Sequence, residues 1–112
     1  MELHLKYTNF WEMVFQKLYI KRALAYEMKE AGLSFKREME QNIYYKDIPK
    51  PIGKRRADFV VEKKVLVELK AMMEIQDAHI SQTLNYLKAY KFQVALLINF
   101  GSKSLTFKRL VL

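Results

Sequence analysis

Cysteine is absent from this 112-residue chain. That excludes a disulfide framework and a thiolate metal site, so any metal must be held by oxygen or imidazole ligands. A reducing, cytoplasmic setting is expected. The opening residues, MELHLKYTNFWEMVF, contain no long apolar run and are broken by charges, so they read neither as a signal peptide nor as a membrane span. A soluble protein with no membrane partner follows. Acidic residues are in deficit, 12 against 20 lysines and arginines, for a formal charge of +8. Such a field gathers polyanions and speeds encounter with them, which makes nucleic acid the expected partner. With 51% hydrophobic residues, the chain can fill one compact core and is too short for two, so residues 1–112 form a single domain.

Glycine and proline, only three and two in number, mark out the organisation. None occurs in residues 9–31, a stretch of good helix formers that ends before Gly32, where a helix C-cap belongs. Residues 34–45 lack helical period and lead to Pro49, Pro51 and Gly53, which suits a strand and a turn. RADFVVE (56–62) and VLVELK (65–70) read as a β-hairpin. Residues 77–91 return to helical spacing, with Ile80, Leu84 and Leu87 on one face and Asp77 as N-cap. QVALLINF (93–100) is a strand covered on both faces, and Gly101-Ser102 turns it into a last strand, 105–111. The predicted order is α-β-β-β-α-β-β, an α/β domain with a mixed sheet flanked by helices.

The chemistry centres on the hairpin. Strand alternation sets Glu68 and Lys70 on one face of VLVELK and Val67 and Leu69 on the other. A Glu-x-Lys on a solvent-facing strand is an ordinary ion pair, but apolar flanks leave these charges in need of partners. Asp58 opposes Glu68 if the pairing centres on Lys63, which requires the odd loop Glu62-Lys63-Lys64, although a G1 bulge there would prefer glycine. Asp58, Glu68 and Lys70 then share one face and point into one depression. Two carboxylates with a backbone carbonyl suit a hard cation, Mg²⁺ or Mn²⁺, that can also take phosphate oxygens. Such a metal would neutralise charge developing on a scissile phosphate, with Lys70 positioning or deprotonating the nucleophile. In the second helix His79, Gln82 and Tyr86 lie within roughly 60° of one another. They look into the same cleft, or else Gln82 is a solvated helix residue, Tyr86 a core aromatic with its hydroxyl at the surface and His79 an exposed first-turn histidine. Lys54, Arg55 and Arg56 precede Asp58 and can hold phosphates near it, or form a solvated turn.

These residues resemble the GxxExxY proteins, a compact branch of the PD-(D/E)XK nuclease superfamily with a restriction-endonuclease-like core. The likeness runs from about Arg22 to the C-terminus through RALAYEM, RRADFVVEKKVLVELKA, SQTLNYLKAY and ALLINFGSKSLTFKR. It implies that Asp58, Glu68 and the main-chain carbonyl of Leu69 bind the metal and that Lys70 is catalytic. Gln82-Thr83-Leu84-Asn85-Tyr86 is similar to the Q-x-x-x-Y motif of RecB-type nucleases, implying that Gln82 and Tyr86 support the site. The function implied is a metal-dependent nuclease, with DNA as the expected substrate.

The chain departs from that pattern at its first helix. The name motif aligns with Asn9, Glu12 and Phe15, so only the glutamate survives, and residues 17–21 read as an insertion. Five helical residues add about 140° of rotation and about 7.5 Å. Accordingly Trp11, Val14, Phe15 and Leu18 form one apolar stripe, while Ile20, Leu24, Met28 and Ala31 form another, rotated by roughly 125°. Glu12 is then either a fourth metal ligand or, with Asn9, a helix-capping pair. Counting back from Arg22 puts Lys17 where the glutamate would lie. Two further readings therefore stand beside the nuclease: a nucleic-acid-binding module that has lost activity, and an interaction protein that assembles through a sheet edge.

Overall fold

The computed structural model of the chain describes residues 10–101 and 104–112, Phe10 in its backbone only. Helix α1 (Phe10–Glu30) runs through the stretch without glycine or proline. It stops where Gly32 adopts a φ of +78°. The Gly32 N–H donates to the Lys29 carbonyl and the Leu33 N–H to that of Met28, the paired bonds of a Schellman cap, whose left-handed residue favours glycine. The expected start at Asn9, with its capping contact, lies outside the described residues, as does Ser102 of the last turn.

Strands β1 (Phe35–Ile43), β2 (Gly53–Val61) and β3 (Val65–Lys70) follow, then α2 (Asp77–Tyr90), β4 (Val94–Asn99) and β5 (Thr106–Val111). The order α-β-β-β-α-β-β is the one expected. The sheet runs β1-β2-β3-β4-β5 and is antiparallel except between β3 and β4, where α2 supplies the crossover that a parallel pair requires.

The hairpin has the odd loop. Phe59 faces Val67, Val60 faces Leu66 and Val61 faces Val65, so the pairing is centred on Lys63. The turn forms without glycine because Glu62 and Lys63 both take left-handed φ values, 52° and 56°, and the Lys64 N–H closes on the Val61 carbonyl at 3.0 Å. The Glu62 carboxylate accepts hydrogen bonds from the hydroxyl and N–H of Ser34, which helps to offset the strain of two side chains in that region. Helix α2 starts differently from expectation. Its N-cap is Gln76 rather than Asp77, and Nδ1 of His79 accepts the Gln76 N–H at 3.2 Å, so His79 secures the helix start.

Each face of the sheet carries its own core. Against α2 lie Ala57, Val60, Leu66, Ala95, Leu97 and Leu110, with Leu87 and Tyr90 from the helix. Against α1 lie Phe59, Val61, Val67, Leu69 and Phe100, with Ala25 and Met28. Only the C-terminal half of α1 is anchored in this way: Ile20, Leu24 and Met28 of the second stripe pack, whereas Trp11 and Phe15 of the first are 64% and 50% exposed. Among the described residues no helix is long and apolar enough to cross a membrane.

Candidate functional site

Asp58 sits where the ladders around β2 give out. The β2–β3 register stops at Phe59 opposite Val67, and the β1–β2 register skips the Glu38–Asp58 pair, where Glu38 has a φ of 51°. The Leu69 N–H is satisfied instead by Asp58 Oδ2, at 2.7 Å. The other oxygen meets α1. Nζ of Lys17 and Nζ of Lys21 lie 3.2 Å and 3.1 Å from Oδ1, as their four-residue spacing on one helix face allows. Lys21 also donates to Glu38. Burial alone would raise the Asp58 carboxyl, but the Leu69 amide and the two ammonium groups prevail and hold it below the usual carboxylate range. For Lys21, burial works downward and is outweighed by Glu38 and Asp58, so its pKa is raised.

Glu68 is closed in from the other side. It is buried, and its Oε1 lies 2.6 Å from Nη2 of Arg55. The contact is not aligned as a hydrogen bond, and Oε1 accepts none among the described residues. The Arg55 guanidinium lies 3.3 Å over the ring of Tyr86, while the Tyr90 hydroxyl donates to the carbonyls of Met39 and Arg55 at 2.9 Å and 3.3 Å. Burial pushes the Glu68 carboxyl up; Arg55 opposes this and Asp58 adds to it, leaving a pKa of about 7.

A depression of about 650 Å³ opens between α1 and the ends of β2, β3 and β4, and both Asp58 and Lys70 line it. Glu68 does not, which corrects the expectation that all three residues open into one depression: Arg55 from β2 and Tyr86 from α2 cover the glutamate. Leu69 lines the depression as well. Gln82 is exposed on α2, and Glu12 is exposed on α1 and not part of the lining. Lys17 stands at Asp58 instead. Of the basic run, Arg56 lines the depression and pairs with Glu40 at 3.0 Å, Lys54 pairs with the same glutamate at 3.8 Å, and Arg55 is turned inward. Arg55 is therefore an internal counter-ion and not the surface phosphate contact that was expected.

Two residues escaped the sequence reading. Lys21 was legible, since it follows Lys17 by one helical turn. Asn99, the one polar residue of VALLIN, is buried, and its Oδ1 accepts the Met72 and Gly101 N–H groups at 3.1 Å and 3.0 Å, tying together the loops that follow β3 and β4 beside Lys70.

The donor set as arranged does not fit a divalent cation. Asp58 is engaged on both oxygens, Glu68 is held by Arg55, and among the described residues no three His, Cys, Asp or Glu groups cluster to share a metal. What the arrangement offers is cationic: Lys17, Lys21, Arg56 and Lys70 line the depression against Glu38 and Asp58.

The crystal structure of SSO0001 superposes on this fold with a TM-score of 0.68, covering 88% of this chain and 51% of that one at 16% identity. This chain thus spans about half the length of that one, and the likeness is one of fold. No curated protein matches the sequence. The family model described as the PD-(D/E)XK nuclease superfamily matches residues 7–110, nearly the whole length and including Asp58 and the Glu68-Leu69-Lys70 strand, and the chain belongs to that superfamily.

Proposed function

We propose that the domain holds nucleic acid by its phosphodiester backbone along the depression between α1 and the ends of β2, β3 and β4. The charge of the lining carries this reading, with four cations against two carboxylates in a chain of formal charge +8. Lys70 forms no ion pair among the described residues, so its ammonium remains available to a phosphate oxygen. Arg56, 64% exposed, offers a second contact at the rim. Contacts of this kind position a strand without reading its sequence. DNA is the substrate expected, with RNA as the alternative.

A second reading is phosphodiester hydrolysis. Nucleases of this superfamily generally use divalent metals, and the adjacency of Asp58 to Glu68 and Lys70 favours this activity. It would require Asp58 to be released from Lys17 and Lys21.

Fluorescence anisotropy of labelled DNA and RNA oligonucleotides across a salt series separates these readings. Binding should weaken linearly on logarithmic axes, and Lys70→Ala should lower the affinity several-fold and reduce the slope by about one. Binding that does not respond to salt, or is unchanged in Lys70→Ala, would remove the first reading. Cleavage that requires Mg²⁺ or Mn²⁺ and disappears in Lys70→Ala would establish the second.

A further inference from the structure

We infer that Lys17 and Lys21 take the place of a divalent cation at Asp58, so that this chain holds a phosphate at the site without metal. The inference deepens the nucleic-acid reading and rests on it for the identity of the ligand.

Three observations carry it. First, both oxygens of Asp58 already have partners. Oδ1 faces two ammonium groups at 3.1 and 3.2 Å, and Oδ2 takes the Leu69 N–H at 2.7 Å. One oxygen is thus neutralised by two ammonium groups and the other is held by a backbone hydrogen bond. Second, the charge is equivalent. Two ammonium groups bring the same two positive charges that a divalent cation would, and they repel a further cation at Oδ1. Third, the neighbouring acid cannot serve as the alternative anchor, because Glu68 is buried against Arg55 and does not line the depression. Both lysines have donors to spare: an ammonium carries three, and the side chain of Lys17 is 39% exposed. Lysine acts on phosphate as a point charge without strict geometry. The side of Lys17 turned away from Asp58 is thus free to receive a phosphate oxygen within the same depression.

The test uses the full chain and compares thermal melting and Mn²⁺ binding, followed by electron paramagnetic resonance, with binding of a DNA duplex in EDTA. The wild type should show no Mg²⁺-dependent rise in melting temperature, and Mg²⁺ should not raise its affinity for DNA above that in EDTA. Lys17→Glu replaces a cation with a ligand and should acquire a Mg²⁺-dependent rise of roughly 5 °C, abolished again in Lys17→Glu/Asp58→Asn. Lys17→Gln is the milder change at this half-exposed position. It decides the matter if the glutamate variant does not fold, because it should bind Mn²⁺ measurably where the wild type does not.

A wild-type melting shift with Mg²⁺ that vanishes in Asp58→Asn would overturn the inference. So would Lys17 variants that fold and bind no more metal than the wild type. A wild type that behaves as expected towards metal yet binds no DNA would leave the counter-ion role of the lysines standing and remove the nucleic-acid reading.

Discussion

Asp58 and Glu68 are neighbouring carboxylates on adjacent strands, and the two sides of the sheet treat them in opposite ways. On the α1 side Asp58 is met by two lysines whose ammonium groups border an open depression. On the α2 side Glu68 is met by one arginine that is itself covered by an aromatic ring. Lysine ammonium groups are strongly hydrated points on flexible stems and suit a surface that exchanges partners, whereas a planar guanidinium can be stacked and desolvated. The pKa values follow the same division, with Asp58 held below the ordinary range and Glu68 pushed to about 7. Both acids of the motif are buried, but one is held by cations that border the depression and the other by a cation that is covered.

The largest effect is expected where the two sides meet. Gly101 follows β4, and a Cβ there would lie 2.2 Å from the Met72 backbone nitrogen and 2.6 Å from the Ala71 carbonyl carbon. Backbone atoms cannot swing aside, so Gly101→Ala should cost about 3 kcal/mol in urea unfolding and pull apart the loops tied by Asn99. A loss below about 1 kcal/mol would show that these loops are not held as tightly as the geometry indicates.

Next in size is the contrast between the two counter-ions. Arg55→Met leaves a buried acid unpaired and should cost about 3 kcal/mol near pH 8. Lys17→Met removes the more exposed of the two lysines at Asp58 and leaves Lys21 as counter-ion, so its cost should stay below about 1 kcal/mol. Acid conditions sharpen the difference. The folded pKa of Glu68, about 7, lies above its ordinary 4.5, so the folded state holds this proton more tightly than the unfolded chain does. The resulting stabilisation is complete below about pH 4.5, declines as pH rises and is gone once pH passes about 7. Between about pH 5 and pH 8 the wild type should therefore lose stability relative to Glu68→Gln, by on the order of 2–3 kcal/mol. The penalty of Arg55→Met should shrink towards pH 5, where the acid is neutral. Equal and pH-independent losses from Arg55→Met and Lys17→Met would end the distinction between the two sides.

Much of this was legible in the chain. Asp58, Glu68 and Lys70 were found by type and spacing, and the register followed from an odd loop although its glycine was missing. Lys17 was reached by counting residues along a helix. Arg55 was misjudged for a definite reason. β2 begins at Gly53, three residues before the expected start at Arg56, so Lys54 and Arg55 were placed ahead of the strand and the run Lys54-Arg55-Arg56 was read as one surface group. Strand alternation would have separated them, with Lys54 and Arg56 outward at 67% and 64% side-chain exposure and Arg55 inward at 15%. The division of the two acids between two faces was less accessible, because it depends on the break in the β1–β2 ladder opposite Glu38, which no residue type announces.

The smallest effects concern α2, where Gln82 and Tyr86 match a motif but occupy different settings. Tyr86 presents its ring face to the Arg55 guanidinium at 3.3 Å, and such a contact is worth about 1–2 kcal/mol when water is largely excluded. Phenylalanine keeps the ring, so Tyr86→Phe should change stability by less than about 0.5 kcal/mol, whereas Tyr86→Leu should cost about 1–2 kcal/mol more. Loss of the stacking partner would also loosen Arg55 over Glu68, so Tyr86→Leu should show a weaker form of the pH dependence of Arg55→Met. Gln82 is exposed, and Gln82→Ala should leave stability within about 0.5 kcal/mol. If Gln82 supports the depression in the way its motif implies, the same variant should weaken DNA binding while unfolding as the wild type does. Equal unfolding and equal binding would make Gln82 a solvated helix residue. A Tyr86→Phe variant as unstable as Tyr86→Leu would transfer the role of Tyr86 from its ring to its hydroxyl.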